Sequence, residues 1–131
     1  MEMQDAISAY RRTLPKSLAD KLDFSPDSLG VMEAHILETY ANVNEAKAPT
    51  EAARVDAMAR YVGEVFRKHF GGKWKIDYSD KKNAFYGRPQ IAGMKSQEVQ
   101  FCPLALVTAS TQRRTGTFFR NIFDNYVRDS K

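Results

Sequence analysis

Residues 50–74 read TEAARVDAMARYVGEVFRKHFGGKW. Val55, Met58, Ala59, Val62, Val65 and Phe66 recur at the 3–4-residue spacing that brings side chains onto one face of an α-helix. His69 falls on the same face one turn later, and Glu64 projects away from it. Thr50 is placed to cap the helix, with Glu51 in its first turn. Gly71-Gly72 ends it, because glycine takes the left-handed backbone of a helix C-terminus without steric cost. The next residues, Trp74-Lys75-Ile76-Asp77-Tyr78, alternate apolar and charged, the period of a half-buried strand. The change of period at the two glycines makes this an α+β chain, with a long helix as scaffold and a sheet laid on it.

Upstream of the scaffold the pattern is helical. Met3, Ile7, Tyr10 and Leu14 form a stripe that Leu18 and Leu22 continue past Pro15, which must interrupt the helix. Ser25-Pro26-Asp27 opens the next helix with a capping hydroxyl, a proline at the first position and an acid in the first turn. Leu29, Met32, Ile36, Tyr40 and Val43 form its apolar face, and residues 42–49 are expected to be a loop. Downstream, strands are expected over 84–92, with Pro89 at an edge or bulge, and over 98–101. With the first strand these make a three-stranded antiparallel meander. Pro103 opens a short helix, and Phe118, Phe119, Ile122, Phe123 and Tyr126 define a closing one. The 131 residues make one domain, long enough to bury roughly two thirds of the unfolded surface.

No apolar run approaches the roughly 18 to 20 residues of a membrane span. One cysteine, Cys102, excludes an intrachain disulfide and suits a reducing compartment, so a cytoplasmic protein is expected. The net charge of +4 is unevenly placed. Residues 23–64 hold eight acids against three bases, whereas residues 65–88 hold seven bases against two acids. Such polarity steers charged partners.

Catalytic chemistry has little to stand on. No Gly-x-Ser-x-Gly elbow is present, and one cysteine with two histidines offers no metal-ligand spacing, so no cofactor or metal is expected. Gly71-Gly72-Lys73 closes a helix, whereas a phosphate loop opens one. Three groups remain as candidates. Glu33 lies within the apolar stripe of its helix, where a carboxylate needs an arginine partner or a place at the margin. Glu64 stands beside Gly63, whose missing side chain implies close approach of the strand carrying Trp74. His69 sits in the last turn of the scaffold, where the helix dipole favours it. Lys73, Lys75, Lys81, Lys82, Arg88, Arg113, Arg114 and Arg120, with Trp74, Tyr78, Phe85 and Tyr86 interleaved, are a composition that can hold single-stranded nucleic acid. If Trp74, Ile76 and Tyr78 pack on the helices, that composition is a solvated face instead.

Tyr61-Val62-Gly63-Glu64-Val65-Phe66 and Phe70-Gly71-Gly72-Lys73-Trp74 together resemble a motif of small uncharacterised bacterial domains. In these a helix ending in Tyr-x-Gly-Glu-Val leads through Gly-Gly-x-Trp into a short sheet. Phe24-Ser25-Pro26-Asp27-Ser28-Leu29 and Phe101-Cys102-Pro103-Leu104 are similar to further blocks of such domains. The resemblance implies the same layout and an immunity-like or accessory role, and it adds Tyr61 to the candidate residues. The polarised charge and the lack of a catalytic constellation make a non-catalytic domain that binds another protein the expected function. A small ligand-binding or hydrolytic protein using Glu33, Glu64 or His69, and a basic single-strand nucleic-acid binder, are the alternatives.

Overall fold

The computed structural model describes residues 3–76, 78, 81–82, 87–94 and 101–129. Helix α1 (Met3–Arg12) and helix α2 (Lys16–Lys21) are separated at Pro15 as the sequence requires. Helix α3 (Pro26–Thr39) starts where expected, with the Ser25 hydroxyl accepting from the Ser28 amide at 3.2 Å. The expected loop 42–49 contains a short helix, α4 (Val43–Ala46). Asn42 caps it by accepting from the Glu45 amide at 3.0 Å, and the Glu45 carboxylate accepts from the Ala41 amide at 2.8 Å. A 3-10 turn, Pro49–Glu51, then leads into helix α5 (Ala52–Phe70). Thr50 therefore lies inside that turn and does not cap α5. Glu51 precedes the helix, and its carboxylate accepts from the Tyr40 hydroxyl at 2.7 Å.

Helix α5 is the centre of the fold. It packs against α1, α3, helix α6 (Pro103–Arg113) and strand β2 (Pro89–Ala92). Val55, Met58, Val62 and Phe66 are buried as expected. Six consecutive residues, Tyr61 to Phe66, are buried, so this stretch has no solvent face. That overturns the one-sided reading of α5. Glu64, expected to project outward, is 0% exposed. His69, expected on the apolar face, is exposed. A helix enclosed on several sides by other elements buries residues all round.

Gly63 lies at the tightest point of this enclosure. A Cβ there would stand 2.3 Å from Trp74 Cη2 and 2.6 Å from Pro103 Cγ, so the glycine admits the strand and α6 together. Gly30, in the interior of α3, is the opposite case: nothing lies within 4 Å of its would-be Cβ. Gly30→Ala is therefore expected to raise stability by about 0.5–1 kcal/mol, through reduced freedom of the unfolded chain. Urea denaturation measures the gain, and a loss of stability would show that α3 is more crowded than described.

Strand β1 (Lys73–Ile76) pairs antiparallel with β2, Trp74 opposite Ile91. On the far side of Ile91 an antiparallel bridge joins Phe101 through bonds of 2.8 and 3.0 Å. The described sheet is thus two-stranded with one added bridge. The expected third strand lies outside the described residues except for Phe101. Ile76 and Tyr78, expected to pack on the helices, are 40% and 64% exposed. Of Trp74, Ile76 and Tyr78, only Trp74 packs against the core.

Helix α6 extends to Arg113, and helix α7 (Phe118–Asp129) closes the chain. Phe66, Phe70, Phe101, Phe123 and Tyr126 form an aromatic cluster with ring centroids such as 4.8 Å for Phe66–Phe101 and 5.0 Å for Phe70–Phe123. Offset and edge-on pairs of this kind add about 0.5–1.5 kcal/mol each beyond their burial. Two charges lock α3 to the α6–α7 connection. Arg114, left-handed at φ 52, donates to the carbonyls of Leu37 and Tyr40 at 3.0 Å, at the C-terminal end of α3. Glu33 receives the first amides of α7. Each charge faces the helix end that its sign complements. Among the described residues no helix is long and apolar enough to cross a membrane.

Candidate functional site

Glu64 and Trp74 are brought together. Carboxylate oxygen Oε1 accepts from the Trp74 indole N–H at 3.1 Å and from Arg67 Nε at 2.5 Å. Oε2 accepts from Arg67 Nη2 at 2.9 Å and from the Gln4 amide. Four donors converge because Arg67 lies one turn along α5, Trp74 swings in over Gly63, and α1 passes alongside. Burial by itself would raise the pKa of this carboxyl. The hydrogen bonds from Arg67 and Trp74, with the charges of Arg67 and Lys68 behind them, outweigh burial and hold it below the ordinary carboxylate range. A lowered folded-state pKa contributes stability above the ordinary value near 4.5, and that contribution is lost as pH falls through the folded value. The stability gap between wild type and Glu64→Gln is expected to narrow below about pH 4.5. Thermal melts from pH 7 to 3 measure it, and a gap independent of pH would refute the assignment. With every lone pair engaged, Glu64 is a structural clasp between α1, α5 and β1.

Tyr61 and His69 meet at Phe24. The Tyr61 hydroxyl donates to Ser28 Oγ at 2.8 Å and accepts from the Phe24 amide at 3.0 Å. Burial raises its pKa, against the hydrogen bonds to Ser28 and from Phe24. The two rings stack at 5.0 Å, and His69 Nε2 lies 3.3 Å from the Phe24 carbonyl oxygen. Phe24 is held at φ 64, a conformation that costs a non-glycine residue about 1–2 kcal/mol. Arg11 and Lys68 stand over its ring at 5.6 and 5.1 Å. These contacts tie the residues just before α3 to α5.

Glu33 is 0% exposed, and its partner is not the expected arginine. It accepts from the amides of Phe118 and Phe119 at 3.1 and 2.8 Å, so it caps α7 from a different helix. Arg88 is exposed and borders a groove of about 620 Å³ with Asp56, Leu104 and Ala105. Glu33, Glu64 and His69 share no hydrogen-bond partner, and the structure gives each to a different junction of the fold.

The β1 side of the hairpin is the surface that burial leaves open. Among the described residues β1 pairs with β2 alone. Lys73, Lys75, Lys81 and Lys82 are exposed around it, and Ile76 and Tyr78 are the large apolar side chains most exposed among the described residues. Ile76 was missed as a surface residue because alternation reports only that a strand has two faces, not how far the layer beneath it extends. Of the aromatic residues interleaved with these bases, Trp74 is committed to Gly63 and Glu64, while Phe85 and Tyr86 lie outside the described residues. No protein-family model, curated protein or solved structure matches the chain.

Proposed function

We propose that this chain is a non-catalytic binding domain of the cytoplasm that takes another protein, as an acidic extended segment, along the open side of β1. The observation that carries the reading is the exposure of Ile76, at 40%, on a strand flanked by lysines, and of Tyr78, at 64%, beyond the strand's end. An edge strand offers unpaired amides and carbonyls to a partner strand, and side chains two residues apart supply specificity. Lysines on an edge discourage self-pairing and favour an acidic partner. Lys73, Lys75 and Lys81 form no ion pair among the described residues. The loss of Trp74 as a stacking surface weighs against single-stranded nucleic acid, which needs aromatic faces open to bases.

The accessory or immunity-like role implied by the bacterial motif resemblance agrees with a domain that binds and does no chemistry. We take 98–101 as the third strand of the meander, supported by the bridge between Ile91 and Phe101. The test is a photo-crosslinker at position 78 in the full chain. It is expected to trap a specific protein, and Lys73→Glu with Lys75→Glu is expected to abolish the trapping. Trapping indifferent to those charges would overturn the reading. So would retention on single-stranded DNA with a steep salt dependence, which would assign the surface to nucleic acid.

A further inference from the structure

The groove of about 620 Å³ that Arg88 borders follows one face of α6, between α4 and the first turns of α5. Leu104, Ala105 and Ala109 of α6, with Val55 of α5 and Ala46 of α4, form its apolar surface. Leu104 and Gln112, which both line it, stand about 12 Å apart along the helix axis. The volume suits a small organic molecule, and the length along α6 suits a narrow, extended one.

Five polar side chains line the groove: Lys47, Asp56, Arg88, Thr108 and Gln112. Thr108 and Gln112 are neutral. Asp56 is the acid among them, and its carboxylate is already taken, accepting from Arg60 Nε at 2.7 Å. Lys47 and Arg88 are both exposed, so a ligand can reach them. Neither makes a hydrogen bond or an ion pair among the described residues. The two cations enter from different ends of α6. The antiparallel bridge between Ile91 and Phe101 sets β2, which Arg88 precedes, beside the first turn of α6. Past the last turn of α6, Arg114 donates to the Tyr40 carbonyl at 3.0 Å, which brings that end beside the residues leading into α4. Lys47 follows α4 directly. The groove thus carries a cation toward each end, apolar groups between them, and one acid that is neutralised by its own helix.

We propose that this groove binds an elongated organic dianion, an apolar chain with an acidic group at each end. One acidic group pairs with the Arg88 guanidinium and the other with the Lys47 ammonium, while the chain lies on Val55, Leu104, Ala105 and Ala109. A carboxylate can take two parallel N–H bonds from the guanidinium. A monoanion meets only one of the two cations, and a dication meets both as like charges. The inference does not rest on the protein-binding reading, since no residue of β1 lines the groove.

The probe is sebacate, a ten-carbon dicarboxylate, titrated into the ¹⁵N-labelled full chain. Decanoate keeps the length with one carboxylate, adipate keeps both carboxylates on a shorter chain, and 1,10-diaminodecane reverses the charges. Sebacate is expected to shift the amides of residues 46–47, 52–56 and 104–112 and to bind roughly 5-fold more tightly than decanoate or adipate, the gain that one further solvent-exposed ion pair supplies. The diamine is expected to leave those amides unmoved. Arg88→Gln and Lys47→Gln are each expected to weaken sebacate roughly 5-fold and so bring it level with decanoate. Both side chains are exposed and unpaired, so both variants are expected to melt with the wild type and the loss reads binding alone. Equal affinity for sebacate and decanoate, equal affinity for sebacate and adipate, shifts centred elsewhere, no saturation by about 10 mM, or sebacate binding indifferent to either substitution would each overturn the proposal.

Discussion

Glu33→Ala is expected to destabilise the protein by about 3 kcal/mol, the largest effect of any single substitution considered. The carboxylate accepts two amides, from Phe118 and Phe119, and is itself fully buried. Hydrogen bonds to a charged group contribute about 1.5–3 kcal/mol each, and truncation leaves both amides without an acceptor and a cavity beside them. The favourable placement of a negative charge at the start of α7 is lost as well. Part of this is offset because a buried charge no longer has to be held out of water. Glu33→Gln keeps one acceptor and is expected to cost about half as much. Against a total stability of about 5–15 kcal/mol, the alanine variant should melt roughly 10 °C lower. Amide exchange should increase first in α7, since Glu33 is its anchor to α3. A loss under about 1 kcal/mol would mean that water replaces the carboxylate and that the cap is not a structural element.

Gly63→Ala is expected to destabilise by about 2 kcal/mol, against the usual sign for a helix interior. Alanine gains about 1 kcal/mol over glycine in helix propensity. Here the added methyl would stand 2.3 Å from the Trp74 ring and 2.6 Å from the Pro103 ring, both rigid. Overpacking of this kind costs about 1–3 kcal/mol and occasionally more, because the strand or α6 must back away. Displacing Trp74 would also stretch its bond to Glu64, so the two effects compound. The control is Trp74→Leu. In that background Gly63→Ala should cost markedly less, and the double-mutant cycle should report a coupling of at least about 1 kcal/mol. Denaturation curves of the four proteins measure it. Additive effects would show that the methyl is accommodated by Pro103 or by the helix itself.

These two sites mark the boundary between what pattern reading reached and what it missed. The apolar positions of α1, α3, α5 and α7 were legible, because periodicity places side chains on a face whatever lies opposite. The Ser25-Pro26 start of α3 and the Gly71-Gly72 end of α5 were legible too, because caps and left-handed positions are local requirements. Gly63 was readable as a close approach, since an interior helix glycine needs a reason. Its second neighbour, Pro103, was not, being forty residues away in sequence. Glu33 and Glu64 were singled out as out of place, but their partners were not foreseen. The acceptors of α7's amides and the donors around Glu64 come from elements joined only by packing. Ile76 and Tyr78 failed the other way: alternation promised burial, and both are exposed. Tyr10 was assigned to the core stripe correctly, but that its buried hydroxyl has no partner among the described residues is a property of its surroundings and leaves no sequence signal.

Local sequence alone thus determined where α3 begins, which apolar positions turn inward, and that the chain changes from helix to strand after Phe70. Those outcomes depend on backbone sterics and on spacing within a few residues. Tertiary structure decided that α5 is enclosed on several sides, that one carboxylate caps a distant helix while another is held by four donors, and that β1 pairs with β2 alone among the described residues. Burial and hydrogen-bond satisfaction are set by what the rest of the chain places opposite a residue, and no local pattern encodes that.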